Sequence, residues 1–340
     1  MTRLTLVAVN AARHDAAFDA VRAAGADVVH AAYPTSWEEV SARRTGAPLR
    51  AAETVPDALQ AALARADAVF GFALPRDLPA LAPGLRWVAT PAAGIDHLRG
   101  TGVLEAAAIA VTTTGGLFAG VIAEHVFAGI LHFAKRLATF EAQRRERRWK
   151  MTRVGALEGR TVGLVGVGHI GRAVAARARA FGMRVLGLGR SDPRGRHVPG
   201  VDRLLGRTAL PELLASADYA VVAVADTPAT RGLLGAAEIA RLRPEAVLVN
   251  VARGTVLDES ALVAALRAGR LAGAALDVFA EEPLPPASPL WELPNVLLTP
   301  HVAANVEDYL PRAIARLAEN VPRFLAGAPL LDRLDRERGY

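Results

Sequence analysis

Three polar residues in the C-terminal half of the chain, Arg253, Glu282 and His301, each follow an apolar, strand-like stretch. In an open α/β sheet, ligands bind at the carboxyl ends of the strands. An arginine binds carboxylates and polarises carbonyl groups through its rigid fork of N–H donors. A histidine transfers protons, and a carboxylate beside it fixes its tautomer. Any one of them alone would more often be structural, but together they predict acid–base chemistry on a carbonyl beside a carboxylate.

A glycine-rich turn earlier in the chain predicts a dinucleotide site. Gly166, Gly168 and Gly171 stand in GxGxxG spacing, after the apolar run Thr161–Val165 and at the start of a helical pattern over Ile170–Phe181. Glycine at these points permits a tight turn, close approach of the backbone to a pyrophosphate, and helix–strand packing. The helix N-terminus adds N–H groups and partial positive charge. The strand and helix around the turn favour this interpretation over an ordinary Gly-rich loop.

The residues after the next strand indicate which dinucleotide binds. NAD sites normally carry an Asp or Glu here, which accepts hydrogen bonds from the ribose 2′-hydroxyl, whereas NADP sites carry a cation. In this chain the strand ends at Arg190 and Ser191, with Arg194 and Arg196 close behind and Asp192 as the only acid. A guanidinium pairs with a 2′-phosphate through two N–H donors, and a serine hydroxyl adds another. The sequence favours NADP(H) over NAD(H), the alternative being that these arginines are only loop surface.

Short apolar runs alternate with helical patterns, which predicts βαβ units, parallel sheets and an α/β fold. The first block contains five strand-like runs, at Leu4–Val9, Asp27–Ala31, Ala68–Phe72, Leu85–Thr90 and Ile109–Thr113. The second contains six, at Thr161–Val165, Arg184–Leu188, Tyr219–Ala225, Ala246–Asn250, Ala274–Val278 and Val296–Thr299. Six strands fit a complete dinucleotide-binding sheet.

Two helical patterns connect these blocks. Residues 117–149 form a long pattern without proline, which we interpret as one linker helix, and residues 306–325 form a final helix that returns the chain to the first block. We therefore expect a discontinuous substrate domain made of residues 1–116 and 306–340. The dinucleotide-binding domain would be residues 117–305, with the active-site cleft between the two domains.

Composition limits the chemistry that the chain can perform. Of its 340 residues, 52% are hydrophobic and none is cysteine, which excludes disulfides, zinc–thiolate sites and thiol nucleophiles. We expect no metal site.

The N-terminus lacks the pattern of a signal peptide, and no long uncharged apolar stretch predicts a membrane span. We therefore expect a cytoplasmic protein that does not associate with membranes.

The net charge of +6 comes from scattered arginines, with one dense cluster at Arg144, Arg145, Arg147 and Arg148. We interpret this cluster as a solvated helix face, because interleaved aromatic residues and a nucleic-acid-binding motif are lacking. We expect no nucleic-acid partner. A mildly basic surface favours acidic metabolites and phosphorylated cofactors.

The segments around the three polar residues resemble the signatures of D-isomer-specific 2-hydroxyacid dehydrogenases, in order and in spacing. They read VLVNVARGTVLD at 247–258, AALDVFAEEP at 274–283 and LLTPHVA at 297–303. The resemblance extends to LRWVATPAAGIDH at 85–97, AEH at 123–125 and NVPRFLAG at 320–327. It spans nearly the whole chain, and it implies two Rossmann-like domains, of which the substrate domain is flavodoxin-like.

This resemblance implies a role for each site residue. Arg253 would bind the substrate carboxylate, His301 would exchange a proton with the substrate oxygen, and Glu282 would support His301. Backbone N–H groups at Ala93 and Gly94 would also hold the carboxylate. The expected cofactor contacts are Gly166, Gly168, His169, Ile170, Gly171, Arg190, Ser191, Arg194, Thr230, Ala252, Asp277, His301 and Ala303. The side chains of four other histidines, His97, His125, His132 and His169, are expected to be packing, surface or loop residues.

The resemblance also implies a substrate class. The Arg190–Ser191 pattern is similar to NADPH-preferring glyoxylate/hydroxypyruvate reductases, which give D-2-hydroxy acids from small 2-keto acids. The alternatives are an NAD-dependent D-lactate-type or other D-2-hydroxyacid dehydrogenase and, more remotely, a dinucleotide-sensing protein of the corepressor type. Formate dehydrogenases of this superfamily carry Gln where this chain has Glu282, so formate oxidation is not expected.

The tract AVADTP at 223–228 departs from the usual LPLTP of the family, which puts the contacts of that loop with adenosine in doubt. A homodimer built around residues 117–149 is implied as well.

Overall fold

The chain forms two compact units. We analysed a computed structural model that describes residues 3–45, 54–190 and 197–339. One unit consists of Met1–Leu117 and Val306–Tyr340, and the other of Phe118–Asn305. Each unit contains a parallel sheet with its own helices, so the mixed α/β fold with two Rossmann-like domains is confirmed.

The sheet of the first unit has five parallel strands in the order β2-β1-β3-β4-β5, which is a flavodoxin-like order. The strands are β1 Leu4–Val9, β2 Ala26–Ala31, β3 Ala68–Phe70, β4 Trp87–Ala89 and β5 Ala110–Thr112. The helices are α1 Asp19–Ala23, α2 Trp37–Thr45, α3 Asp57–Leu63, α4 Leu78–Leu81 and α11 Tyr309–Leu325, with 3₁₀ turns at Ala12–Phe18 and Asp96–Leu98. All five strands predicted for this part of the chain are present.

The C-terminal helix α11 packs on the sheet of the first unit. Its apolar face, including Ile314, Leu317 and Val321, is buried in the same cluster as strand residues of that sheet. The ring of Phe324 stacks on the fully buried Trp87 of β4, with 5.2 Å between ring centroids. Burial of these large apolar side chains is the dominant favourable term in such packing. It explains why residues far apart in the sequence share one unit.

The sheet of the second unit has seven parallel strands in the order β12-β11-β10-β9-β6-β7-β8. The strands are β6 Thr161–Val165, β7 Arg184–Leu188, β8 Arg203–Leu205, β9 Tyr219–Val222, β10 Val247–Asn250, β11 Gly273–Leu276 and β12 Val296–Leu298. The helices are α5 Ala119–Ala134, α6 Leu137–Arg145, α7 His169–Ala180, α8 Leu210–Ser216, α9 Ala236–Ile239 and α10 Glu259–Arg267, with 3₁₀ turns at Arg207–Ala209, Gly254–Val256 and Pro289–Glu292. The order reverses between β6 and β9, and a crevice at such a reversal is where dinucleotides bind.

The predicted count of six strands for this sheet was wrong, because β8 was missed. This strand has only three residues, begins with an exposed Arg203 and lies at the edge of the sheet beside β7. A short edge strand buries little surface, so its sequence carries a weak alternation of apolar and polar residues.

The single helix expected over residues 117–149 was also wrong. The structure has two helices, α5 and α6, with Arg136 between them at φ +52°. The segment that follows α6 forms a hydrogen bond with the last residue of α5. The Gly155 N–H donates to the Ala134 carbonyl at 2.7 Å. The Lys135 ammonium in turn donates to the Gly155 carbonyl at 2.8 Å. A long-range contact that no periodicity reveals therefore ends α5.

Candidate active site

A histidine and a carboxylate are joined at the carboxyl edge of the second sheet. His301 follows β12 and Glu282 follows β11, and these strands are neighbours. The His301 Nδ1 atom lies 2.9 Å from Glu282 Oε2 and 3.1 Å from Oε1. The carboxylate side chain is 9% exposed and the imidazole 26%. With Nδ1 held by the carboxylate, proton exchange with a substrate falls to Nε2.

The backbone of His301 has an uncommon conformation that its neighbours hold in place. Its φ is +54°, in the left-handed region that non-glycine residues rarely adopt. The buried carboxylate of Asp277 accepts hydrogen bonds from the N–H groups of Val302 and Ala303, both at 2.9 Å. It also accepts one from the Thr299 hydroxyl at 2.7 Å. Asp277 thus fixes the turn that carries His301, and its expected contact with a nicotinamide stays a prediction.

A second histidine, His125, is hydrogen-bonded to this group, although the sequence predicts only a packing or surface role for it. The His125 Nε2 atom on α5 lies 3.0 Å from the Thr299 hydroxyl and 3.7 Å from the nearer Asp277 oxygen. Since the Thr299 hydroxyl donates to Asp277, it accepts a hydrogen bond from the His125 ring. The sequence carries no signal for this contact apart from the AEH segment at 123–125, which is part of the family resemblance. The packing of α5 against β10 and β11 is what gives His125 a place near the turn.

Arg253 lies on a turn that packs directly against the segment carrying Glu282. A side chain at the next residue, Gly254, is impossible, because its Cβ would lie 1.8 Å from the Phe279 carbonyl carbon. The Phe279 N–H in turn donates to Glu282 Oε1 at 3.1 Å. The Asn250 side chain donates to the Arg253 carbonyl at 3.1 Å. Glycine at position 254 therefore brings the arginine and the glutamate onto adjoining segments of one sheet edge.

The three glycines of the GxGxxG turn have distinct surroundings. Gly166 has φ +105°, and a Cβ there would lie 2.7 Å from the Ala223 carbonyl oxygen. A Cβ at Gly171 would lie 2.1 Å from the Gly166 carbonyl oxygen. Both glycines are therefore required by packing of the turn. At Gly168, by contrast, a Cβ would meet nothing within 4 Å.

The open space above Gly168 lies at the N-terminus of α7, whose first residues are His169 and Ile170. The N–H groups of a first helical turn have no partner within the helix, and the macrodipole gives that end partial positive charge. His169 is exposed, and Ile170 is half-buried. The turn therefore fits a pyrophosphate, and a glycine at position 168 leaves room for one.

The remaining expected cofactor residues have different placements. Arg190 is exposed and follows β7, whereas Ser191 and Arg194 lie outside the described residues. The Thr230 hydroxyl donates to the Ala225 carbonyl at 2.6 Å, so it shapes the loop after β9. Ala252 is buried and donates its N–H to the Asn250 side chain at 3.0 Å. Contact of any of these residues with a cofactor stays a prediction.

The loop after β9 contains Asp226, within the tract that departs from the family's usual sequence. Arg231 binds both carboxylate oxygens of Asp226, each at 3.0 Å, and the Thr255 hydroxyl lies 3.2 Å from one of them. The Gly232 N–H also donates to the Thr255 carbonyl at 2.9 Å. The buried charge of Asp226 is therefore neutralised, and the loop is tied to the segment that follows Arg253.

The Ala93–Gly94 loop of the first unit is held from both sides. The Tyr309 hydroxyl donates to the Pro91 carbonyl at 2.7 Å, and the Thr114 N–H donates to the Ala92 carbonyl at 3.1 Å. Ala93 itself is exposed. Within residues 3–45, 54–190 and 197–339, no acceptor is found for the N–H groups of Ala93 and Gly94. A fixed loop whose N–H groups have no acceptor within the described residues is suited to bind an anion.

The described part of the chain offers no helix long and apolar enough to cross a membrane. Among those same residues, no three His, Cys, Asp or Glu side chains come together as a potential metal site.

The chain is similar to known dehydrogenases in sequence. Residues 127–303 match the family model described as D-isomer specific 2-hydroxyacid dehydrogenase, NAD binding domain. A glyoxylate reductase from Korarchaeum cryptofilum is 38% identical over 259 residues, which cover 72% of this chain and 75% of that protein.

Solved structures agree with this similarity. A D-isomer specific 2-hydroxyacid dehydrogenase from Xanthobacter autotrophicus, in complex with NADPH and MES, covers 100% of both chains with a TM-score of 0.80 and 32% identity. The NADPH-dependent glyoxylate/hydroxypyruvate reductase from Sinorhizobium meliloti, in complex with NADP and sulfate, covers 99% of this chain and 100% of its own. Its TM-score is 0.78, and its identity is 26%.

Proposed function

The chain belongs to the D-isomer specific 2-hydroxyacid dehydrogenase family, and we propose that it reduces glyoxylate and hydroxypyruvate to 2-hydroxy acids with NADPH. The hydrogen-bonded pair Glu282–His301 carries this proposal, because it is an acid–base pair at the carboxyl edge of the sheet. The 2-hydroxyacid chemistry is that of the family. The two substrates and the preference for NADPH are the proposed part.

The residues of the chain bind the substrate and move one proton. Arg253 presents its guanidinium to the keto-acid carboxylate and polarises the adjacent carbonyl. Protonated His301 donates its Nε2 proton to the carbonyl oxygen, and Glu282 stabilises the positive imidazolium before the transfer. We also predict that the backbone N–H groups of Ala93 and Gly94 bind the substrate carboxylate. When bound, the reduced nicotinamide supplies the hydride that completes the reduction.

The preference for NADPH rests on the residues that follow β7. Arg190 stands where an NAD site would have an acid, and its exposed guanidinium can pair with a 2′-phosphate. Two relatives of known structure, from Xanthobacter autotrophicus and Sinorhizobium meliloti, carry NADPH or NADP. A cytoplasmic location, the absence of a metal and the absence of a nucleic-acid partner stay predictions.

Initial rates of NADPH and NADH oxidation test the proposal, with glyoxylate, hydroxypyruvate, pyruvate and 2-ketoisocaproate as acceptors. We expect kcat/KM to be highest for glyoxylate or hydroxypyruvate with NADPH, and about tenfold or more lower with NADH, as the loss of a charge-assisted phosphate contact implies. Turnover with NADH alone would refute the cofactor assignment and leave the reductase. Absence of turnover with all four acceptors would refute the substrate assignment.

Replacing Glu282 with glutamine tests the support of His301. We expect kcat to fall about ten- to a hundredfold, because a neutral amide stabilises an imidazolium less than a carboxylate does. Steady-state rates measure this effect, and E281Q, next in the sequence, is the matched control. A kcat of E282Q within about twofold of the wild type would count against the pair.

We also propose a homodimer in which a second copy covers residues 137–154. This segment exposes five large apolar side chains, and Trp149 is 98% and Met151 92% exposed. Exposed apolar patches of this kind mark interaction sites, and a two-fold axis brings the same patch of two copies together. Light scattering should give a dimer for the wild type and a monomer for W149S/M151S, whereas W291S is the control. A monomeric wild type would refute the proposal.

A further inference from the structure

The missed strand β8 places a second arginine beside the predicted 2′-phosphate site. Strands β7 and β8 are paired in parallel, with Leu188 opposite Leu205. The pairing continues one residue past β7, since the Gly189 N–H donates at 2.8 Å to the carbonyl of Leu205, the last residue of β8. Arg190 and Arg207 each stand two positions beyond the last paired residues. Neighbouring strands lie about 4.8 Å apart, so the two arginines follow the same end of two adjacent strands, with Arg207 at the start of a 3₁₀ turn.

The side chain of Arg207 is directed toward the loop that follows β9. It is exposed, and its Nη2 atom donates to the Ala229 carbonyl at 2.6 Å. Ala229 belongs to the loop after β9, which begins at Ala223 against the glycine turn. A guanidinium has several N–H donors in one fork. One bond to a carbonyl can therefore position the side chain while other donors bind a phosphate.

The nearby described carboxylates are engaged elsewhere. Asp226, in the same loop as Ala229, is held by Arg231 through both oxygens. Glu212 on α8 pairs with Arg203 at the opposite end of β8. Positive charge from Arg190 and Arg207 therefore accumulates at one point of the edge, next to the strand end where the ribose 2′ position is recognised. A doubly charged phosphate is the ligand that such a pair suits.

We propose that Arg207 is a specificity-determining residue that binds the 2′-phosphate of NADP(H) together with Arg190. This inference rests on the proposed preference for NADPH and adds to it a residue from a different strand. It predicts that the discrimination between NADP(H) and NAD(H) depends on both arginines, one after β7 and one after β8.

Calorimetric binding of 2′,5′-ADP and 5′-AMP to the whole protein tests the inference without turnover. These two probes differ only by the 2′-phosphate. R207Q keeps an N–H donor for the Ala229 carbonyl but removes the charge, and R207K keeps the charge. We expect R207Q to bind 2′,5′-ADP about tenfold more weakly, with 5′-AMP changed less than about twofold, and R207K to recover most of the loss. R203Q, which removes a charge from the other end of β8, is the matched control.

The outcomes separate this inference from the proposed function. If R190Q loses the preference for 2′,5′-ADP and R207Q does not, Arg207 has no part in phosphate binding, and the NADPH preference stands. If R207Q weakens both probes equally, Arg207 only supports the loop, and the inference is overturned. If the wild type binds both probes equally, the NADPH preference fails, and the inference fails with it. A loss specific to 2′,5′-ADP in R207Q, absent in R203Q, supports it.

Discussion

Replacing His301 with alanine is expected to lower kcat for keto-acid reduction by about a thousandfold, the usual scale of a general acid placed at the reacting atom. The reason lies in the geometry of the imidazole. Its Nδ1 atom is bound to Glu282, and its backbone is held at φ +54° by the contacts of Asp277 with the next two residues. In the sequence TPHVA of this turn, at 299–303, the imidazole is the side chain that can donate a proton near neutral pH.

The measurement separates proton transfer from binding. Fluorescence titration should give H301A an NADPH affinity within about threefold of the wild type, while single-turnover rates fall. H132N, which removes a half-buried imidazole from α5, is the control, and it should retain full activity. If H301A kept more than about a tenth of the wild-type kcat, His301 would not be the proton donor.

The sequence predicts the parts of this site that depend on one strand and the residues directly after it. Arg253, Glu282 and His301 were identified because each follows an apolar run, and the parallel sheet places such positions on one edge. The contact between Glu282 and His301 follows from the pairing of β11 with β12. Strand periodicity and turn chemistry are local signals, so they can be read from the chain.

The parts that the sequence did not predict depend on contacts between distant segments. His125 gains its place only because α5 packs on β10 and β11, and α5 ends where Gly155 binds its last turn. Arg207 could not be assigned to the edge of the sheet from the sequence, because the strand before it, β8, was not predicted. In each case a residue without a local signal acquires a role through a neighbour that only the fold supplies.

Replacing Arg253 with alanine is expected to lower kcat/KM for the keto acid by about a thousandfold, through both a higher KM and a lower kcat, with NADPH affinity unchanged. An arginine that binds a carboxylate in bidentate geometry contributes two charge-assisted hydrogen bonds. Loss of both bonds leaves the substrate unoriented. R253K should recover only a small part, because an ammonium cannot reproduce the planar fork.

The position of Arg253 makes this test specific. Its turn is fixed mainly by the bond from Asn250 and by the contact of Gly254 with Phe279, which do not use the guanidinium, whereas the guanidinium makes one bond, from Nη1 to the Ala252 carbonyl at 2.7 Å. Removal of the side chain should therefore leave the fold and the Glu282–His301 pair intact, which thermal unfolding can verify. R267A, at the C-terminal end of α10, is the matched control. If R253A kept the wild-type KM for glyoxylate, Arg253 would not be the residue that binds the substrate carboxylate.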